Sequence, residues 1–199
     1  MTATTRSSST RSSNTQRSRA KADRRAALLD AAARLFAERG FERVTLEEIG
    51  GAAGISGPAV YRHFAGKQAV LAAILVDASE GLLSGGQAVV DREPDAAAAL
   101  RELVAFHVAF AVANAPVIRV QDRDLDSLAD ADQRTVRTLQ REYVELWVAL
   151  LARLEPAAGS SELRARAHAG FGLMNSTPHT GRGATPAILE SMALAALRA

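Results

Sequence analysis

Cysteine is absent from the chain, which excludes disulfides, thiolate catalysis and any cysteine-held metal. Aromatic residues are scarce, with one Trp, two Tyr and six Phe among 199 residues. Only four histidines occur, and no nucleophile–base pair stands at a recognisable spacing, so an enzyme would have no chemical handle. His179 beside Thr177 lacks the positioned partner that a catalytic group needs. The segment DRDLDSLADADQ carries five Asp, but it misses the glycine and terminal glutamate of a calcium loop. Helix capping explains its acids, and neither a metal nor a cofactor is expected. No apolar run approaches the roughly 20 residues of a membrane span, and the N-terminus lacks the hydrophobic centre of a signal peptide. The expectation is a cytoplasmic protein without a membrane partner.

What is abundant is alanine and other helix formers. Apolar residues make up 48% of the chain, enough at this length for a sizeable core in one or two domains. The fold class expected is all-α. Net charge is only +2, but it is unevenly spread. Residues 1–72 hold 12 Lys/Arg against six Asp/Glu, a net +6; residues 73–199 hold 12 against 16, a net −4. A positive N-terminal field suits a polyanionic partner.

The stretch TLEEIGGAAGISGPAVYRHFAGK, residues 45–67, carries the most information. Thr45 stands at an N-cap with Glu48 at capping-box spacing. Leu46, Ile49, Ala52 and Ala53 make a short apolar stripe, and Gly54 stops the helix. Ile55 reads as a buried hinge and Ser56 as the cap of a second helix, with Pro58 in its first turn. Two short helices about a glycine turn form a helix-turn-helix, whose second member can enter a DNA major groove. Val60 and Phe64 turn inward. Gly57, Pro58 and Ala59 leave a low surface toward bases, while Tyr61, Arg62, His63 and Lys67 can donate to phosphates.

The runs LLDAAARLFAERGFERVTLEEIGGAAGIS and AVYRHFAGKQAVL, between Leu28 and Leu75, resemble the DNA-binding domain of the TetR family of bacterial transcriptional repressors. The resemblance implies that Thr45 caps the second helix and touches a phosphate. It implies that Ser56, Gly57, Pro58 and Ala59 face bases, and that Tyr61, His63 and Lys67 grip the backbone. Gly50 departs from the family's usual alanine but is small enough for the helix crossing, at a cost of about 1 kcal/mol in helix propensity.

Around that reader, residues 1–21 form a basic tail expected to be disordered, either a solvated leader or an arm adding phosphate contacts. The DNA-binding domain spans 22–82, opening with a helix from about Asp23 to Arg39. A helix from Lys67 leads out of it, and Gly81, Gly85 and Gly86 are expected to loosen its end. Residues 83–199 form the second, helical domain. Asp95 caps a helix bearing Leu100, Leu103, Val104, Val108 and His107 on one face. A long helix over about 131–154 carries Tyr143 and Trp147. Another, through Leu163, Ala167, Phe171 and Met174, ends near Asn175 and His179, and the last starts near Thr185.

His107, Tyr143, Trp147, Asn175 and His179 are polar-tipped groups on or beside apolar faces, candidates for a cavity binding a small-molecule effector. The bland alternative is ordinary core and caps. The last two helices, apolar and small-faced, suggest a homodimer, as the family resemblance also implies. RVQDRDLDSLADADQRTVRTLQREYVELWVALL and FGLMNSTPH are similar to actinobacterial TetR regulators of fatty-acid and acyl-coenzyme A metabolism. The function expected is a repressor released from a palindromic double-stranded DNA operator by a hydrophobic or acyl-CoA-like effector. The alternative is a constitutive architectural DNA-binding protein.

Overall fold

The computed structural model describes residues 7–177 and 185–199, and among them every regular element is helical. Helix α1 runs Ser7–Arg39, a 3-10 turn covers Phe41–Arg43, and α2 (Leu46–Ala52) and α3 (Gly57–Val60) follow. Then come α4 (Lys67–Arg92), α5 (Ala96–Ala113), α6 (Ala115–Asp124), α7 (Asp130–Leu154), α8 (Ser160–Met174) and α9 (Pro186–Leu197). The chain divides into two compact units, one ending at Leu71 and the other running Ala72–Ala199. The division falls inside α4 rather than at residue 82.

In the first unit, α1 is 33 residues long, so residues 7–21 are helical where a disordered tail was expected. The physical reason is that elongating an existing helix adds one hydrogen bond per residue fixed, whereas starting one is costly. No Gly or Pro interrupts the chain before Gly40. Leu28, Ala32 and Phe36 of α1 are buried with Phe41, Val44, Ile49, Val60 and Phe64. Phe36 meets Phe41 edge-on at 5.3 Å. Gly40 (φ 88°) turns the chain out of α1, and Gly54 (φ 67°) turns it out of α2, both in the left-handed region that glycine enters without steric cost.

The crossing of α2 and α3 is tighter than expected. A Cβ on Gly50 would lie 2.8 Å from the Ile55 carbonyl oxygen and 2.8 Å from Val60 Cγ2. The carbonyl is backbone, held in the turn where the Ile55 N–H donates to the Gly50 carbonyl at 2.8 Å. Gly50→Ala is therefore expected to destabilise the first unit by about 1 kcal/mol, overpacking outweighing the gain in helix propensity. Urea denaturation of the variant checks this, and a higher midpoint than the wild type's would sink it. Ala52, assigned to the buried stripe, is exposed, and Ile55 is only half-buried; Gly50 takes the interior position.

The second unit has α5 at its centre. Leu100, Leu103, Val104, Val108 and Ala111 are fully buried against α7, α8 and α9. Asp95 caps α5, its carboxylate accepting from the Ala98 N–H at 2.7 Å. Both α4 and α5 are long and apolar enough to cross a membrane, contrary to the sequence expectation; in α5 that apolarity lines the protein core. Gly81, Gly85 and Gly86 do not loosen α4, which continues to Arg92. Gly85 and Gly86 are packing positions instead. A Cβ would fall 2.4 Å from the Phe106 ring at Gly85, and 2.7 Å from the Tyr143 ring at Gly86.

Candidate functional sites

The reader surface is built on the start of α2. Thr45 has extended backbone (φ −102°, ψ 160°), its hydroxyl accepts from the Glu48 N–H at 3.2 Å, and Glu48 accepts from the Thr45 N–H at 2.8 Å. The Thr45 hydroxyl also donates to Glu48, and Arg39 pairs with the same carboxylate at 2.9 Å. The Thr45 backbone bond, then its hydroxyl, hold the Glu48 carboxyl below the usual range, with Arg39 adding to them. The capping box fixes where the helix-turn-helix begins.

Helix α3 is a single turn. Ser56 is its N-cap by position and backbone, but its hydroxyl makes no capping bond. Tyr61, Arg62 and His63, expected along a longer helix, lie in the turn after it. That turn is tightened by bonds from the Arg62 and His63 N–H groups to residues three back, at 3.2 and 2.8 Å. Buried Phe64 anchors it. Tyr61 is 55% exposed, and its hydroxyl donates to Glu47 at 3.3 Å. Lys67 is half-buried. Its ammonium donates to the Phe41 and Glu42 carbonyls at 2.9 and 3.1 Å and sits 4.4 Å from the Phe41 ring centroid. The lysine therefore braces the start of α4 against the 3-10 turn, an attachment the sequence did not reveal.

A concavity of about 700 Å³ opens beside α3, lined by Gly54, Ile55, Ser56, Ala59, Arg62 and His63 and, from α1, by Lys21 and Arg24. It contains four of the expected DNA-facing residues and two cations from another helix.

In the second unit, a cavity of about 230 Å³ is lined by Ser79 and Leu82 of α4, His107 of α5, Gln121 of α6, Gln140, Tyr143 and Val144 of α7, and His168, Phe171 and Asn175 at α8. His107 is buried at its wall. Its Nε2–H donates to Asn175 Oδ1 at 3.1 Å, and its Nδ1 accepts from the Tyr143 hydroxyl at 3.1 Å, the neutral tautomer that an amide oxygen partner requires. Burial holds the His107 pKa down to about 4, with the Asn175 bond opposing. Burial likewise pushes the Tyr143 hydroxyl up. The His107 ring lies nearly parallel to Tyr143 and Phe171, at 5.7 and 5.2 Å.

Trp147 stands behind this wall. It is fully buried and meets the His107 and Phe171 rings edge-on at 6.0 and 5.2 Å. Its indole N–H has no hydrogen-bond partner; the Tyr143 hydroxyl, the polar group it acts on, falls outside bonding geometry. A second, open groove of about 800 Å³ runs between α4 and α7, past Leu83, Val90, Leu139, Leu146 and Leu150.

Residues 28–74 match the family described as bacterial regulatory proteins, tetR family. Residues 93–180 match the tetracyclin repressor-like C-terminal domain. The chain belongs to the TetR family. Among its relatives is the HTH-type transcriptional repressor KstR2 of Rhodococcus jostii, 33% identical over 129 residues, which are 64% of this chain and 63% of that protein. The chain thus spans less than two thirds of that relative's length. The TetR fold is shared with a TetR-family regulator from Bordetella parapertussis, with a TM-score of 0.77 and 22% identity over 85% of this chain and 91% of that one. It is shared with KstR2 of Mycobacterium tuberculosis at a TM-score of 0.74 and 20% identity, covering 88% and 93%.

Of the residues picked from the TetR resemblance and the helical faces, the structure gathers Ser56, Ala59, Arg62 and His63 about one concavity and His107, Tyr143 and Asn175 about another. Thr45, Tyr61 and Lys67 are engaged within the reader itself. Gly57 and Pro58 form the first turn of α3. His179 lies outside the described residues. Reading from sequence missed Ser79, Gln121, Gln140 and His168. Each stands on a different helix or turn of the helix from the others, so no linear spacing announced them.

Proposed function

We propose that the chain is a transcriptional repressor that binds a palindromic operator as a homodimer and is released by a small-molecule effector. The observation that carries the effector half is the cavity beside His107, an aromatic-walled space rimmed by amide, imidazole and hydroxyl groups. Such concave sites with a few placed polar groups are where small ligands bind. A constitutive architectural protein has no use for one. The DNA half rests on the capped helix-turn-helix, with its base-facing candidates Ser56, Gly57, Pro58 and Ala59 and its phosphate candidates Thr45, Tyr61, Arg62, His63 and Lys67. Helix α4, which starts at Lys67 and supplies Ser79 to the cavity wall, is the covalent route by which an effector could bias the reader. The effector class proposed is a hydrophobic or acyl-CoA-like molecule, in keeping with the resemblance of residues 119–151 and 171–179.

The test is enrichment of duplexes from a random-sequence pool by the full chain. A palindromic consensus with half-sites one helical turn apart is expected; enrichment of no sequence would overturn the repressor reading.

The dimer surface proposed is α8 with α9. Ile188 and Met192, four residues apart on α9, are each 49% exposed, and Ala165, Ala169 and Gly172 of α8 are exposed small residues that permit close helix approach. Met192→Glu is expected to convert the dimer to monomer at micromolar concentration, since a charge in an apolar interface costs several kcal/mol. Operator affinity falls with it, because one reader loses the advantage of two linked sites. Sedimentation equilibrium checks this; an intact dimer for the variant would place the interface elsewhere.

A further inference from the structure

We propose that Lys21 and Arg24 of α1, together with Arg62, His63 and Ser56, form a seat for a DNA-backbone phosphate, so that α1 is a third element of the reader. The inference rests on the DNA-binding reading above. Lys21 and Arg24 are three residues apart on one helix, and therefore on one face of it. Both are exposed, and both line the same 700 Å³ concavity as Arg62, His63, Ser56 and Ala59.

No acidic side chain lines that space. Among the described residues, none of Lys21, Arg24, Arg62 and His63 is engaged in an ion pair or side-chain hydrogen bond, while the nearest acids of the reader are occupied: Glu47 by Tyr61 and Glu48 by Thr45 and Arg39. Three permanent cations about one concavity without a counter-charge repel one another and favour an anion there. The Ser56 hydroxyl, unused as a cap, adds a neutral donor of the kind that phosphate oxygens accept. Ala59, a base-facing candidate, shares the wall, which puts the seat beside the bases being read. A phosphate flanking the recognised major groove meets these requirements.

The experiment uses the full chain and two 30-base-pair duplexes, one enriched by the wild type and one of random sequence. For Lys21→Ala/Arg24→Ala, the slope of log affinity against log salt is expected to fall by about 1.8 in magnitude, two phosphate contacts' worth, with affinity for both duplexes lower by about 30-fold at 0.15 M salt. The preferred sequence should not change, since phosphate contacts carry no base information. Lys21→Arg/Arg24→Lys should recover most of the affinity. An unchanged slope, or a loss confined to the enriched duplex, would overturn the seat. So would a variant that loses only a thermal shift caused by inorganic phosphate while its DNA binding stays whole; the site would then serve a free anion. If the wild type enriches no duplex, the DNA-binding reading falls and the seat with it. If it enriches one and the variant keeps its slope, only the seat falls.

Discussion

Lowering the pH from 7 to 4 is expected to cost the second unit about 3 kcal/mol of stability, through His107 alone. Its imidazole is held down to about 4 by burial in the folded protein, against an ordinary value near 6.5 in the unfolded chain. A depressed folded value means that the unfolded state binds the extra proton between those limits, so stability rises with pH across the window. The contribution is fully present above about pH 6.5 and drains away as pH falls toward 4. Each pH unit between is worth about 1.4 kcal/mol. The structural cause is plain: Nδ1 already accepts from Tyr143, and a protonated ring would turn that acceptor into a second donor facing a hydroxyl. Denaturant midpoints of the full chain at pH 7, 5.5 and 4.5 measure the loss. His107→Gln separates this group from the carboxylates, because the amide can still donate to Asn175 and accept from Tyr143 but cannot titrate. The variant should show a flatter profile between pH 6.5 and 4; an unchanged slope would mean that His107 is not the group responsible.

How far these sites were legible in the sequence depends on whether their geometry is local. The Thr45–Glu48 box and the Asp95 cap are set by residues three apart, and their spacing alone announced them. The faces of α5 and α7 follow from helical period, which put His107, Tyr143 and Trp147 within reach of one another. Period could not say which side of the wall each occupies, and Trp147 ended behind it. Lys67 was assigned to phosphate by its place in the motif. Its attachment to the Phe41 and Glu42 carbonyls spans about 25 residues of chain, a distance at which no sequence rule operates. Gly85 and Gly86 were read as a weakness in α4 because propensity counts glycine as a breaker; packing against Phe106 and Tyr143 overrides propensity where helices must touch. The helical start of α1 was hidden because residues 7–21 carry no apolar period. That omission concealed the approach of Lys21 and Arg24 to α3.

The cavity is expected to distinguish an uncharged ligand from an anion of the same shape by about 100-fold. No Lys, Arg, Asp or Glu lines it. Its polar groups are the amides of Gln121, Gln140 and Asn175, the imidazoles of His107 and His168, and the hydroxyls of Ser79 and Tyr143. Two of these are already committed: Ser79 donates to the Leu75 carbonyl at 2.7 Å, and Tyr143 donates to His107. What is left suits a carbonyl, amide or hydroxyl. A carboxylate entering would lose its water without gaining a cation, and an ionised group so placed costs well over the 1–3 kcal/mol of an unsatisfied neutral one. The volume of about 230 Å³ is below the usual range for a whole drug-sized ligand, so a compact molecule, or the neutral end of a longer one, is the fitting occupant. A thioester-linked acyl group is neutral at that end and meets the same test. Calorimetric titration with cyclohexanecarboxamide and with cyclohexanecarboxylate at pH 7.5 compares the two charges on one skeleton. Gln140→Trp, which fills the space from the α7 side, should abolish binding of the amide while leaving affinity for an enriched operator within about twofold. Equal affinity for the carboxylate would show that a cation reaches the cavity; an unaffected Gln140→Trp would show that the amide sits elsewhere, with the open groove between α4 and α7 the next place to look.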